Sequence, residues 1–365
     1  MEKTNLGYFF NKLLLLKKHY PLTGHIELTY RCNLKCIHCY CKGSENKEEE
    51  LKTSQWKQIF DELHKEGCIY LTLSGGDPLI RKDFLELYSY IKKKAFIVSI
   101  FTNALALTSQ TLDYLAKSPP NGIEVTLNGI TKSTYEQITQ VGGSFSRVMQ
   151  NLKEIKKRNL PLTLKSNCLR QNKAEVTKIK GFTDEFLGKK NHRYNFQYDT
   201  MIYPRINGNQ EPLKFRLSFK ELSELRKEDP DIWREYQQHL HAPIGLEGGQ
   251  DSLYHCNTWM NKFFINPYGK LKFCQFSDKF SVDLNTTSFK EGFYKAFPQT
   301  LKEKFKSNSK CRDCHLRPVC HNCPARAYLE TGDEEAPVPY FCGLAEETAK
   351  QIAKLKAIRK YGNSN

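Results

Sequence analysis

The stretch that decides the fold is His25-Ile-Glu-Leu-Thr-Tyr-Arg-Cys32-Asn-Leu-Lys-Cys36-Ile-His-Cys39-Tyr40. Residues His25–Thr29 are short, apolar and Thr-containing, and they read as a strand. The three cysteines follow it directly, on a loop at the strand's carboxyl end. Three thiolates there can bind three irons of a four-iron cube. Such cubes ordinarily take four cysteines, so the fourth iron is left for a ligand from outside the chain. With 13 cysteines in 365 residues, chance would produce this triad roughly 0.02 times, so coincidence is a poor explanation. Zinc is the alternative, with His38 as its fourth ligand.

Outward from this loop, strand-like and helix-like segments alternate. Further strands are expected at Ile69–Ser74, Phe96–Phe101, Ile123–Leu127, Leu162–Cys168 and Tyr194–Asp199. Amphipathic stretches separate them at Ser54–Glu66, Lys82–Lys94, Ser109–Lys117, Ser144–Lys157 and Lys173–Leu187. Ser54 and Ser144 are plausible N-caps, and Gly67 and Gly188 plausible stops. Strand–helix alternation implies right-handed βαβ units and a parallel sheet. Six units are too few for a closed eight-stranded barrel, so an α/β fold with a partial (β/α)6 TIM-like barrel is expected. Its active site belongs at the carboxyl ends of the strands.

The domain reading is a lead-in over 1–23, the barrel over 24–203, a linker over 204–250, a cysteine-rich domain over 251–343 and a C-terminal helix over 344–365. Pro204, Gly208, Pro212, Pro230 and Pro243 mark the linker. Phe263–Ile265 and Lys270–Phe273, joined by Asn-Pro-Tyr-Gly, read as a hairpin.

Hydrophobic residues make up 39% of the chain and aromatics 12%, enough for a substantial core. No apolar run reaches the ~20 residues of a membrane span, and nothing resembles a signal peptide. The expected location is the cytoplasm, where thiols stay reduced and clustered cysteines point to metal. The formal charge of +16 suits an acidic partner, and a solvated lysine-rich surface explains it equally well. No membrane partner is expected, and nucleic acid is disfavoured.

The Cys32, Cys36, Cys39 spacing resembles the hallmark of the radical S-adenosylmethionine (SAM) superfamily. The resemblance implies that these three catalytic cysteines hold a [4Fe–4S] cluster whose open iron chelates SAM. One electron then cleaves SAM to a 5′-deoxyadenosyl radical that abstracts a substrate hydrogen. Tyr40 matches an aromatic placed near the adenine. Cys41 lies outside the spacing and reads as non-ligating. Ser74-Gly75-Gly76-Asp77-Pro78 resembles the family's Gly-Gly-Glu-Pro motif, which binds the methionine ammonium, with Asp77 one methylene shorter. Thr102-Asn103 and Thr126-Leu127-Asn128 resemble the ribose-side loops. The Arg that many relatives carry near the SAM carboxylate has no counterpart around Ile138.

The C-terminal cysteines are Cys256, Cys274, Cys311, Cys314, Cys320, Cys323 and Cys342. Their order resembles the SPASM extension of radical SAM enzymes that act on peptides and proteins, except that Cys320 and Cys323 are closer than usual. By resemblance there are two auxiliary [4Fe–4S] clusters: Cys311, Cys314, Cys320 and Cys342 on the distal one, Cys256, Cys274 and Cys323 on the proximal one. The proximal fourth ligand is left open among Asp251, His255 and a substrate atom. Lys165, Asp199 and Arg205 are candidate substrate contacts at the barrel mouth.

The leading expectation is an oxidoreductase that matures a ribosomally made peptide by C–H functionalisation or crosslinking. A flavodoxin or ferredoxin would be the reductant. Only about 23 residues precede the first strand, so a leader-binding domain is expected on a separate protein if the substrate carries a leader. The alternatives are a formylglycine-forming sulfatase maturase, a small-molecule or cofactor-biosynthesis enzyme, and a non-enzymatic metal-binding module.

Overall fold

Helices and strands alternate as the pattern predicts, because each helix buries one stripe. Helix α1 (Thr53–Lys65) buries Trp56, Ile59, Phe60 and Leu63, a spacing of three and four residues that places them on one face. The computed structural model describes residues 19–44, 49–188, 195–228, 251–256 and 258–362. Most of the lead-in, Tyr194 and residues 229–250 of the expected linker lie outside the described residues.

The barrel strands are β1 (Thr23–Thr29), β2 (Tyr70–Gly75), β3 (Ile97–Thr102), β4 (Gly122–Thr126), β5 (Leu162–Asn167) and β6 (Phe196–Asp199). Helices α2 (Phe84–Lys93), α3 (Ser109–Lys117), α4 (Lys132–Thr139), α5 (Ser144–Lys157) and α6 (Val176–Leu187) connect them. All six strands pair in parallel in chain order, and they stand in one open sheet. Ile26, Leu28, Leu71, Leu73, Val98, Ile100, Ile123, Val125 and Leu164 point outward into the main core beneath the helices. The alternate residues face inward and are mostly polar.

Three local details differ from the sequence reading. Helix α1 begins one residue early, with Lys52 at the N-cap and its N–H donated to Gln55 Oε1 at 2.9 Å. Helix α5 has Gly143 at its N-cap, and Ser144 is its first residue. Helix α4 was not anticipated. It is short and capped by Thr131, and Glu175 accepts hydrogen bonds from Ile130 N, Thr131 Oγ1 and Thr134 Oγ1 beside its start.

The sheet does not stop at β1. Strand β7 (Lys262–Ile265) pairs with β1 in parallel, Thr23 opposite Lys262 and His25 opposite Phe264. Strands β8 (Lys270–Lys272) and β9 (Val282–Asp283) follow antiparallel, giving nine strands in the order β6-β5-β4-β3-β2-β1-β7-β8-β9. The expected hairpin therefore exists, and it continues the barrel sheet. Phe263, Phe289, Phe293 and Phe297, all fully buried, glue it there, with ring centroids 4.8 Å (Phe263–Phe289), 5.7 Å (Phe289–Phe293) and 5.5 Å (Phe293–Phe297) apart. Burial of each such ring contributes about 1.5–3 kcal/mol.

Part of the stretch read as linker is helical. Helix α7 (Phe219–Glu228) buries Leu222 and Leu225 against Phe341 and Leu344 of the C-terminal helix α9 (Pro339–Gly362). The prolines that suggested a loop lie mostly before and after it. A further helix, α8 (Pro324–Thr331), follows Cys323 directly. Among the described residues, no helix is long and apolar enough to cross a membrane.

Candidate functional site

The loop after β1 is fixed at many points before any cofactor is considered. Glu50 accepts from Thr29 Oγ1 at 2.7 Å and from Tyr30 N at 2.9 Å. The buried Arg81 donates to Leu28 O at 2.9 Å and to Leu51 O at 3.1 Å. Further along, Lys35 N and Ile37 N each donate at 3.0 Å to Thr139 O and Ile138 O at the end of α4. Ile138 is buried beside Leu169, Ile202 and Ile37. Ile138 thus supplies a backbone acceptor and an apolar seat for the cysteine loop.

The two glycines of Gly75-Gly76 act on this loop. Gly75 has φ +129°, and a Cβ there would sit 2.0 Å from Thr29 O. A Cβ on Gly76 would sit 2.2 Å from Arg31 O. Gly76 N donates to Thr29 O at 2.7 Å and Asp77 N to Arg31 O at 3.0 Å. The glycines thus permit the end of β2 to lie against the backbone that leads into Cys32. Asp77 is wholly buried, and its carboxylate accepts from Leu79 N at 3.0 Å, Thr102 Oγ1 at 2.8 Å and Asn103 N at 2.8 Å. Burial raises it to about 6 despite these bonds. Its contacts tie the β2 loop to the end of β3.

Asn103 reaches the cysteine loop. Its Nδ2 lies 3.5 Å from Cys32 Sγ and 2.7 Å from Asn33 Oδ1. Asn128 is turned elsewhere, its Oδ1 accepting from Asn167 N at 2.8 Å and its carbonyl from Asn172 Nδ2 at 2.9 Å. Thr126 ends β4 on the inward face, between Glu124 and Asn128. Tyr40 donates its hydroxyl to Glu27 Oε1 at 2.7 Å. His38 Nε2 is 3.2 Å from Asn167 Oδ1, and burial lowers the imidazole to about 4. The histidine considered as a fourth zinc ligand is therefore held by β5. Asn172, which was missed in the sequence, is fully buried and donates to Asn128 O and Asn167 O, crosslinking the β4 and β5 ends.

The three loop thiols are electrostatic neighbours. Cys32 is exposed, yet desolvation by the surrounding protein, with the charges of Asp77 and Cys39, pushes its thiol up to about 12, and burial with the charges of Cys39 and Cys32 pushes Cys36 up as well. Cys39 is lowered to about 7, first by the Cys41 thiol 3.5 Å away and then by further bonds and the Arg205 charge. Cys41 is buried. Inside the barrel, Lys165 pairs with Glu124 and lies 3.7 Å above the Phe101 ring. His25 Nε2 is 2.6 Å from Ser74 Oγ. Asp199 is open to water at the barrel mouth yet ringed by protein, and its carboxyl is raised by that partial desolvation.

The C-terminal cysteines influence one another electrostatically in two groups. Burial and then the charges of Cys342, Cys311 and Cys314 push Cys320 up to about 11, and Cys311 and Cys314 act likewise on Cys342. Cys274 is pushed up to about 12 by burial and then by Cys323, with Cys256 contributing. Cys323 is raised by burial and opposed by Arg326. Arg326 lies 4.8 Å above Tyr203, and its charge reaches Cys274, Cys323 and Asp199. Its charge is therefore felt both by Cys274 and Cys323 and by Asp199, and the sequence reading missed it. Asp251 is engaged by Arg312, with Oδ1 accepting at 3.0 and 2.6 Å.

Among the described residues, no three His, Cys, Asp or Glu side chains converge to hold a single metal ion.

This open barrel, with its three-cysteine loop at the carboxyl ends of the strands, defines the class. Residues 26–182 form a domain that matches the model of the Radical SAM superfamily, and that superfamily implies a [4Fe–4S] cluster and SAM. It is 25% identical over 334 residues to an AdoMet-dependent heme synthase of Methanosarcina barkeri, covering 86% of this chain and 94% of that protein. It is 35% identical over 153 residues to a PqqA peptide cyclase of Ruegeria pomeroyi, covering 42% of this chain and only 41% of the cyclase. Among solved structures, Streptococcus suis SuiB bound to precursor peptide SuiA has the same fold, with TM-score 0.67 and 17% identity over 91% of this chain and 78% of that one.

Proposed function

We propose that this enzyme uses the 5′-deoxyadenosyl radical to modify a peptide or protein, and that it matures a ribosomally made precursor by oxidative C–H functionalisation. Cys32, Cys36 and Cys39 would hold the SAM-binding cluster, which when bound supplies the electron that cleaves SAM. Asn103 would orient the loop at Cys32, and the Gly75-Gly76 backbone would keep it seated. Cys311, Cys314, Cys320 and Cys342 would hold one auxiliary cluster and Cys256, Cys274 and Cys323 the other.

The observation that supports this reading is that the turn after Cys274 packs on the barrel mouth, with Phe276 6.3 Å from Tyr40 and 4.9 Å from Tyr203, whose ring carries Arg326 at 4.8 Å. An oxidative reaction leaves an electron to be accepted near the substrate, and a cluster at that mouth can accept it. The polar interior, with Lys165, Glu124 and Asp199, suits a polar chain. The peptide cyclase relative and the peptide-bound SuiB support the same substrate class. A low-potential flavodoxin or ferredoxin would supply electrons in a reducing, cytoplasmic setting. The formal charge of +16 would favour an acidic peptide.

A second reading, small-molecule oxidation in cofactor synthesis, draws on the heme synthase relative matched over nearly its whole length. The deciding experiment is anaerobic reconstitution. About twelve irons per chain are expected for three cubes. Replacing Cys32, Cys36 and Cys39 by Ala should remove about a third of the iron and all SAM cleavage. Incubation with short peptides encoded beside this gene should change a peptide's mass. SAM cleavage that is stimulated by a porphyrin and by none of the peptides would favour the second reading.

A further inference from the structure

Glu27 lies on β1, 2% exposed, and forms no ion pair among the described residues. Its Oε1 accepts from Tyr40 OH at 2.7 Å and from Gln275 Nε2 at 2.8 Å, and its Oε2 from Tyr30 OH at 3.0 Å. Tyr40 is the residue after Cys39, and Gln275 is the residue after Cys274. One buried carboxylate therefore joins the loop of the first cysteine set to the turn of the second.

Both ends of this bridge are anchored. Lys272, itself buried, donates to Gln275 O at 2.9 Å and pairs with Asp278 at 3.0 Å. Tyr40 O accepts from Ile206 N at 2.9 Å. An aromatic contact runs alongside: Tyr40 meets Phe276 edge-on at 6.3 Å, Phe276 meets Tyr203 at 4.9 Å, and Tyr203 carries Arg326 at 4.8 Å. A carboxylate at this depth costs folding free energy compared with an apolar residue. For stability alone, β1 would be served as well by Leu. The three donors arranged around Glu27 account for the residue only if the connection they make is useful.

We infer that Glu27 is a positioning residue that registers the Cys256, Cys274, Cys323 set against the Cys32, Cys36, Cys39 loop. The inference rests on the reading that both sets hold clusters, and it concerns how the two are held at a fixed separation and orientation. Glutamine at position 27 keeps an oxygen for Tyr40 and Gln275 and can donate its amide to Tyr30, so it should preserve the register. Leucine cannot accept any of the three bonds.

The test uses the anaerobically reconstituted full chain with Glu27→Leu, Glu27→Gln and Gln275→Leu. Amide hydrogen exchange should accelerate roughly tenfold in residues 39–44 and 274–278 of Glu27→Leu and stay near wild type in Glu27→Gln. Gln275→Leu should accelerate residues 274–278 alone. In the reduced proteins, the electron paramagnetic resonance signal of the three-cysteine cluster should shift in both Leu variants and return in Glu27→Gln, while the four-cysteine cluster is unchanged. Exchange that rises equally across the barrel, or unchanged exchange in both segments, would overturn the inference. So would a failure of Gln to restore what Leu removes. If Glu27→Leu does not fold, Gln275→Leu against wild type decides. Replacing Cys256, Cys274 and Cys323 by Ala tests the underlying reading separately: if the iron content does not fall, that set holds no cluster, and the exchange results still judge Glu27.

Discussion

The contact between Arg216 and Glu330 is the most exposed to a single substitution, because both partners are almost wholly buried. Their side chains are 7% and 8% accessible. Arg216 Nη1 donates to Glu330 Oε2 at 3.0 Å and Nη2 to Oε1 at 2.5 Å, a two-pronged pair. Nε donates to Ile202 O at 2.6 Å, and the guanidinium lies 4.2 Å above the Tyr340 ring. Glu330 sits on α8, which follows Cys323, while Arg216 belongs to the segment that returns from the barrel. The pair therefore clamps the cysteine-rich region to the barrel mouth. Glu330→Ala leaves a buried guanidinium with one carbonyl and the rings of Tyr340 and Phe341, at a cost of about 3–5 kcal/mol. In a chain of this size roughly 2 °C accompanies each kcal/mol, so the melting midpoint should fall by about 6–10 °C. The double variant Arg216→Met, Glu330→Leu removes both charges and should recover most of that loss. Differential scanning calorimetry of the reconstituted protein and the two variants supplies the comparison. A loss below about 1 kcal/mol in Glu330→Ala, or a double variant no better than the single, would refute the reasoning.

Three further outcomes follow from the site. Gly75→Ala should abolish iron binding at the Cys32 loop while the C-terminal sets keep theirs, because its Cβ would lie 2.0 Å from Thr29 O; iron content of the variant checks it, and normal loading would contradict the packing argument. Asp77 is raised to about 6 from 3.8, so the folded protein binds more protons than the unfolded chain between these values. Stability should therefore fall as pH rises from about 4 to about 6, by about 3 kcal/mol, and Asp77→Asn should flatten that decline; melting midpoints across this range would show an unchanged slope if Asp77 is not the cause. Asn172→Leu leaves Leu169 N, Asn128 O and Asn167 O without their partner. It should destabilise by about 1–3 kcal/mol for each unsatisfied buried group, read from denaturant midpoints, and a cost below 1 kcal/mol would mean that water replaces the side chain.

Much of this molecule was legible in the sequence because its signals are local. Strand and helix periods are set by residues within one turn or one pleat, so β1 to β6 and helices α1, α2, α3, α5 and α6 lie within a few residues of expectation. The cysteine spacing is likewise local chemistry, and it marked both the loop after β1 and the C-terminal block. The roles of the motif side chains were less legible, since Asp77, Asn128 and Tyr40 find their hydrogen-bond partners in segments far away in the chain. The Gly-Gly-Asp-Pro pattern marked Asp77 for a ligand, and only the fold shows that its side chain also joins the β2 loop to the end of β3. Glu27, Arg326 and Asn172 carried no signal at all, because a lone Glu in a strand or a lone Asn in a loop is ordinary until its neighbours are known. The extension of the barrel by β7 was equally hidden. Parallel pairing between Thr23 and Lys262 has no sequence signature, and it arises because an open sheet leaves the β1 edge unpaired and a Phe-rich segment covers it. The sequence alone thus determined the alternation, the cysteine sets and the class of chemistry, which depend on residue type and spacing. Only the tertiary structure decided which polar side chains serve the scaffold and how the two cysteine regions are joined, because those contacts form between residues that become neighbours only when the sheet assembles.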